Sequence, residues 1–131
     1  MTAPAQGAAA GPDPEELARR YVRLWNEPDP DRRRAAVAEL FAPAVAHRTP
    51  TTAVDGRAAL TERIALAHAA WVRDTGHAFR LLPGTDGHHG VVRLRWEMVL
   101  AASGACVSAG TDLLGLDPAG LVLTDHQFID R

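Results

Sequence analysis

Three apolar runs fill the last third of the chain, Val91 to Ala101, Ala105 to Leu116 and Leu121 to Asp130, and the breaks between them leave few folds open. Ser103-Gly104 and Asp117-Pro118-Ala119-Gly120 are turn chemistry: glycine supplies positive φ, and Asp-Pro presets a type I turn. The spacing predicts an antiparallel meander. In its first strand Val92, Leu94, Trp96 and Met98 alternate with Arg93, Arg95 and Glu97, so one face must be covered and the other carries charge. The next two strands depart from that alternation, because Asp112, Asp125 and Gln127 share the apolar face with Leu114, Leu123 and Ile129. Polar groups on a concave apolar face either line a pocket or have found partners there.

The cover is supplied upstream. Asp13-Pro14-Glu15-Glu16 is a helix start, and Leu17, Tyr21 and Leu24 with Ala18, Val22 and Trp25 form an apolar stripe that ends near Asn26 before Pro28 and Pro30. Asp29-Pro30-Asp31 repeats the start signal for a second helix through Val37, Leu40 and Phe41, stopped by Pro43. A short strand, Val45 to Thr49, and an irregular segment, Pro50 to Gly56, precede a third helix from Arg57 to Asp74. Then His77 to Pro83 is a strand, and Gly84 to Gly87 turns it into the meander. Helices gathered first and strands last argue an α+β fold, a cone-shaped curved mixed or antiparallel sheet wrapped round three N-terminal helices. The 131 residues suit one domain, 14–131, behind a disordered tail, 1–13.

Composition removes several functional classes. A net charge of −2 leaves no basic field for nucleic acid, and Arg32-Arg33-Arg34 is expected to be a solvated helix face. No apolar run approaches about 18 residues, so no membrane span is expected. The single cysteine, Cys106, forbids an intrachain disulfide, fits a cytoplasmic setting and reads as a small buried hydrophobe. His88-His89 are adjacent in a turn, so no metal is expected, and the absence of a Gly-rich phosphate loop argues against a nucleotide cofactor.

With Arg20-Tyr21-Val22-Arg23-Leu24-Trp25-Asn26 opening it, Glu39-Leu40-Phe41-Ala42 at the second helix end and Asp125-His126-Gln127-Phe128-Ile129-Asp130 closing it, the chain resembles the nuclear transport factor 2-like superfamily. It is most similar to the SnoaL-like polyketide cyclases and ketosteroid isomerases. The resemblance spans residues 14 to 130 and implies a cystatin-like α+β barrel with a site inside the cone. It places Tyr21 at the isomerases' oxyanion-donating tyrosine and Asp112 at its partner acid; the cyclases hold a histidine at the latter position. The isomerases' general-base aspartate would align with Thr49 and the cyclases' base with Gln127, neither of which titrates near neutrality. Limonene epoxide hydrolases, another branch, use an Asp-Arg-Asp arrangement whose acids are replaced here by Trp96 and Gln127.

Strand alternation puts Tyr21, His47, Thr49, Trp96, Ser108, Asp112, Asp125 and Gln127 inside the cone, walled by Trp25, Trp71, Val92, Leu94 and Met98. Such a hollow suits a small hydrophobic organic ligand, cyclic or polyketide-like, and needs no cofactor. Asp112 and Asp125 could face each other across the Asp-Pro-Ala-Gly turn, and His47 could serve as base. The expected chemistry is cofactor-free acid/base isomerisation, cyclisation or dehydration through an enolate. The competing expectation is a noncatalytic ligand-binding or dimerisation module that lacks the base. Val107, Ala109, Thr111, Leu113, Val122 and Phe128, expected on the outer sheet face, suggest a homodimer.

Overall fold

The computed structural model describes residues 11–131, so most of the tail expected over 1–13 lies outside it. Helices α1 (Pro14–Asn26), α2 (Pro30–Leu40) and α3 (Arg57–Ala67) pack on the concave side of a seven-stranded sheet. Its strands are β1 (Phe41–Arg48), β2 (Ala53–Asp55), β3 (His77–Leu81), β4 (Asp86–His88), β5 (Val91–Leu100), β6 (Cys106–Leu116) and β7 (Val122–Ile129). The order is β2-β1-β7-β6-β5-β3, with β4 also paired to β5, and the sheet does not close. Among the described residues only the β1–β7 pair is parallel; the rest are antiparallel. This is the expected cone-shaped α+β fold.

Both helix starts form as read. The Asp13 carboxylate accepts from the Glu16 amide at 3.1 Å, and Asp29 accepts from the Asp31 amide at 2.8 Å. Three boundaries differ from expectation. The second helix stops at Leu40, and Phe41 to Pro43 already belong to β1, because Pro43 disfavours helical backbone for the residue before it. Short strands β2 and β4 form where an irregular segment and a turn were expected, each completing the hydrogen bonds of a longer neighbour. The third helix is α-helical only to Ala67; His68–Arg73 widens into a π-helical turn, marked by the Asp74 amide bonding to the Ala69 carbonyl at 3.0 Å.

One clamp fixes α1, and with it Tyr21, against the sheet. At the helix end the Asn26 carboxamide donates to the Phe79 carbonyl at 2.7 Å and accepts from the Phe79 amide at 2.8 Å. Phe79 lies on β3, which closes one side of the sheet, so Asn26 stands in for the missing neighbouring strand.

The meander carries a bulge between β6 and β7. Gly115 pairs with Thr124, but Leu116 pairs with Val122, one residue out of step. A one-residue slip exchanges faces. Leu123, expected inside beside Asp125, is therefore exposed, and Val122, expected on the outer face, is fully buried. Val107, Leu113 and Phe128 are exposed on the outer face, whereas Ala109 is nearly covered. Arg33 departs from the expected solvated run: it is buried, and its guanidinium donates to the carbonyls of Glu27 (2.8 Å) and Pro28 (3.2 Å) at the corner between α1 and α2. Cys106 is only partly buried. No helix among the described residues is long and apolar enough to cross a membrane.

Candidate functional site

The inner face of the sheet changes character along its strands. On β5 the residues run Val92, Leu94, Trp96, Met98; on β6 Leu114, Asp112, Gly110, Ser108; on β7 Val122, Asp125, Gln127. The aliphatic end packs on Leu17, Phe41, Val45 and Leu60 to make the core. The other end surrounds a cavity of ≈ 190 Å³ lined by Tyr21, Val22, Trp25, Arg63, Ala67, Trp71, Phe79, Trp96, Met98, Ser108, Gln127 and Ile129. Between core and cavity lies a sealed polar layer.

That layer is a chain of hydrogen bonds. The Trp96 indole donates to Asp112 Oδ1 at 2.7 Å, the Tyr21 hydroxyl lies 2.9 Å from Asp112 Oδ2 and 2.6 Å from Asp125 Oδ2, and His47 Nδ1 lies 2.9 Å from the same Asp125 oxygen. Asp112, Asp125 and His47 are fully inaccessible, and Tyr21 nearly so. The parallel β1–β7 register sets His47 opposite Asp125. The antiparallel β6–β7 register sets Asp112 opposite Gln127 and Asp125 opposite Leu114, so the two acids are diagonal neighbours, not the facing pair expected, and Tyr21 fills the gap from α1. Gly110 makes room for the indole: a Cβ there would stand 2.3 Å from Trp96 Cζ2 and 2.7 Å from the Phe128 carbonyl oxygen.

Proton arithmetic orders the chain. Tyr21 has one hydrogen for two carboxyl oxygens, and its shorter contact is to Asp125. With the phenol donating to Asp125, Asp112 must carry a proton and donate it to the phenol oxygen. Burial agrees. Removal from water, reinforced by the Asp125 carboxyl, pushes the Asp112 pKa up to about 9, despite the opposing pull of Trp96 and Tyr21. Asp125 is also raised by burial, held back by its bonds to Asp112 and Tyr21. Burial, then the nearby carboxyls, lift Tyr21 well above an ordinary phenol. His47 is pushed down to about 4, chiefly by burial, which overrides the upward pull of Asp112 and is helped by Arg63 and Arg48. The distances favour a neutral Asp112 donating to Tyr21, Tyr21 donating to Asp125, and a neutral His47 donating to Asp125 through Nδ1.

The predicted site residues divide accordingly. Tyr21, Asp112, Asp125 and His47 come together, but only Tyr21 of these four reaches the cavity wall. Trp25, Trp71, Trp96, Met98, Ser108 and Gln127 line the cavity as expected. Val92 and Leu94 do not; they are core residues one and two steps too deep. Thr49 is outside β1 and absent from the wall, because its amide and hydroxyl are taken up in the following loop with Thr52 and Thr51. Sequence reasoning missed Arg63, Val22, Ala67, Phe79 and Ile129. Arg63 was within reach: it lies three residues after Leu60 and four before Ala67, on the edge of the stripe that covers the sheet. Among the described residues no three His, Cys, Asp or Glu side chains gather as metal ligands.

Neither a family model nor a curated protein matches the chain. Solved structures do. A candidate isomerase of the SnoaL-like family from Agrobacterium tumefaciens str. C58 is similar at 27% identity with a TM-score of 0.82, over 89% of this chain and 97% of that one. A candidate polyketide cyclase from Sinorhizobium meliloti matches at 16% identity and a TM-score of 0.66, over 86% and 94% of the two chains. An NTF2-like protein of unknown function from Mesorhizobium loti matches at 20% identity and 0.65, over 92% and 97%. The last two likenesses speak to fold alone. By its topology and these likenesses the chain has the nuclear transport factor 2-like fold, and it is similar to a structure of the SnoaL-like family.

Proposed function

We propose that the protein is a cofactor-free acid/base enzyme that moves a proton on a small, largely apolar carbonyl compound: an isomerisation, cyclisation or dehydration through an enolate. The observation that carries this reading is that the Asp112–Tyr21–Asp125–His47 chain meets, at Tyr21, the wall of an otherwise mainly apolar cavity. The candidate isomerase from Agrobacterium, similar over nearly its whole length, supports it.

In this reading Tyr21 is the point of exchange. A proton leaving the substrate passes to the phenol oxygen as the phenol proton passes to Asp125; the return step runs in reverse. Asp125, ionised but made more basic by burial, is the base, and it does without an acid at Thr49 or Gln127. Asp112, kept neutral, donates to the phenol oxygen and steadies the charge that develops there. His47 positions Asp125 and is a poor base itself, with its pKa near 4.

The test needs no knowledge of the natural substrate. Cyclohexanone in deuterated buffer should exchange its α-hydrogens faster with the protein than without it, followed by proton NMR. Tyr21→Phe and Asp125→Asn should remove the acceleration, and exchange at wild-type rate in both variants would overturn the assignment. A second reading, a noncatalytic binding module, draws on the exclusion of Asp112, Asp125 and His47 from the cavity wall. It calls for no exchange and for ligand affinity that is flat from about pH 5 to 8.

A further inference from the structure

The cavity wall has a single formal charge. Of its twelve lining residues only Arg63 is ionic, and no acid shares the wall with it. Its Nε is buried without a hydrogen-bond partner, and among the described residues Arg63 enters no ion pair. Burying a charged donor without an acceptor is costly. Arg33 shows how this chain treats a buried guanidinium that has only a structural duty: two backbone carbonyls take it up. Arg63, which is partly exposed, has no such arrangement for its buried Nε. On the same wall the Trp25 indole N–H is likewise buried and unpartnered. Two unmatched donors on one apolar surface call for an acceptor-rich, negatively charged group, and a planar carboxylate matches the guanidinium fork.

Size narrows the class further. A dry hollow of about 150 Å³ accepts benzene, so ≈ 190 Å³ holds one six-membered ring with a short substituent. A fused three-ring skeleton would project past Trp71 and Ile129, both about half exposed at the rim.

Building on the proposed proton-transfer role, we infer that the substrate is a monocyclic carbonyl compound bearing a carboxylate, held by Arg63 with help from Trp25 while the carbonyl end lies against Tyr21. Arg63 is then the residue that sets specificity.

The probes are benzoate and its neutral isostere benzamide, titrated calorimetrically into the full-length protein. The expected result is that benzoate binds about tenfold or more tightly than benzamide, the usual worth of a charge-assisted hydrogen bond. Arg63→Met should make the two affinities equal, and Arg63→Lys should keep part of the preference. Raising salt should weaken benzoate alone, a check on the wild-type protein that stands even if a variant fails to fold. Equal affinities in the wild type, no benzoate binding at millimolar concentration, or a preference that survives Arg63→Met would overturn the proposal. Loss of this proposal alone would leave deuterium exchange into neutral cyclohexanone intact. Loss of the enzymatic reading alone would leave the benzoate preference intact.

Discussion

Two carboxylates on the surface of this protein, Asp74 and Glu97, and two in its interior, Asp112 and Asp125, are shifted in opposite directions. Asp74 faces the Arg73 guanidinium in open solvent, and Glu97 faces Arg80; each is held below its ordinary range, first by the guanidinium's hydrogen bond. Asp112 has a phenol and an indole but no cation beside it, is shut off from solvent, and is driven up to about 9. The number of hydrogen bonds does not decide the outcome. What decides it is whether the partner brings a compensating charge, or the site excludes water and leaves the proton to do so. Two carboxyls in one dry layer cannot both ionise cheaply, so one keeps its proton, and that proton makes the chain of bonds directional.

The largest expected effect breaks the interior half of this contrast. Tyr21→Phe disconnects the acids from the cavity, and the α-exchange rate should fall about 10²- to 10³-fold with far-UV circular dichroism unchanged. A smaller loss is expected from Gly110→Ala. The new methyl overlaps Trp96 and must drive the indole off Asp112, costing ~1–3 kcal/mol in a denaturant titration.

Next comes the pH dependence of stability. A carboxyl whose folded pKa is raised stabilises the fold below its unfolded pKa and loses that contribution as pH climbs to the folded value; Asp112 therefore acts from about 4 to about 9. His47, lowered to about 4, does the opposite: its contribution is complete above its unfolded pKa and is lost as pH falls through 4. The two oppose each other between about 4 and 6.5. Above that Asp112 acts without opposition from His47, and unfolding free energy should decline by ~1.4 kcal/mol per pH unit up to about 9. Asp112→Asn, which keeps the shape and the donor, should flatten this limb. At the small end, Arg73→Ala should leave the unfolding midpoint almost unchanged, because an exposed ion pair is screened by solvent.

The sequence exposed the face shared by Asp112 and Asp125, since alternation within a strand is a local property that turn residues bound sharply. It could not expose their diagonal register, which depends on where β7 meets β6. The bulge at Leu116 and Val122 was hidden for the same reason, and with it the exchange of Val122 and Leu123 between faces. The depth of the cavity floor was equally out of reach. Alternation assigned Val92, Leu94, Trp96 and Met98 to one face, but only packing against Leu17 and Leu60 decides which are core and which are wall. Arg63 was overlooked because a lone arginine beside a helix stripe is usually solvated: its spacing put it at the edge of that stripe, and only the packing puts a cavity there. Tyr21 and Asp112 were legible through the resemblance of their flanking motifs. Their joining through a single phenol to Asp125 and His47 emerged only from the assembled sheet.

The protonation state of Asp112 tests the account most directly. Carbon-13 NMR of the aspartate side-chain carboxyls, assigned by comparison with Asp112→Asn and followed from pH 5 to 10, reads it without a substrate. The expected result is a carboxyl that keeps its neutral-acid chemical shift through pH 7 and titrates near 9. An Asp112 already ionised at pH 7, with an ordinary aspartate titration near 4, would contradict it.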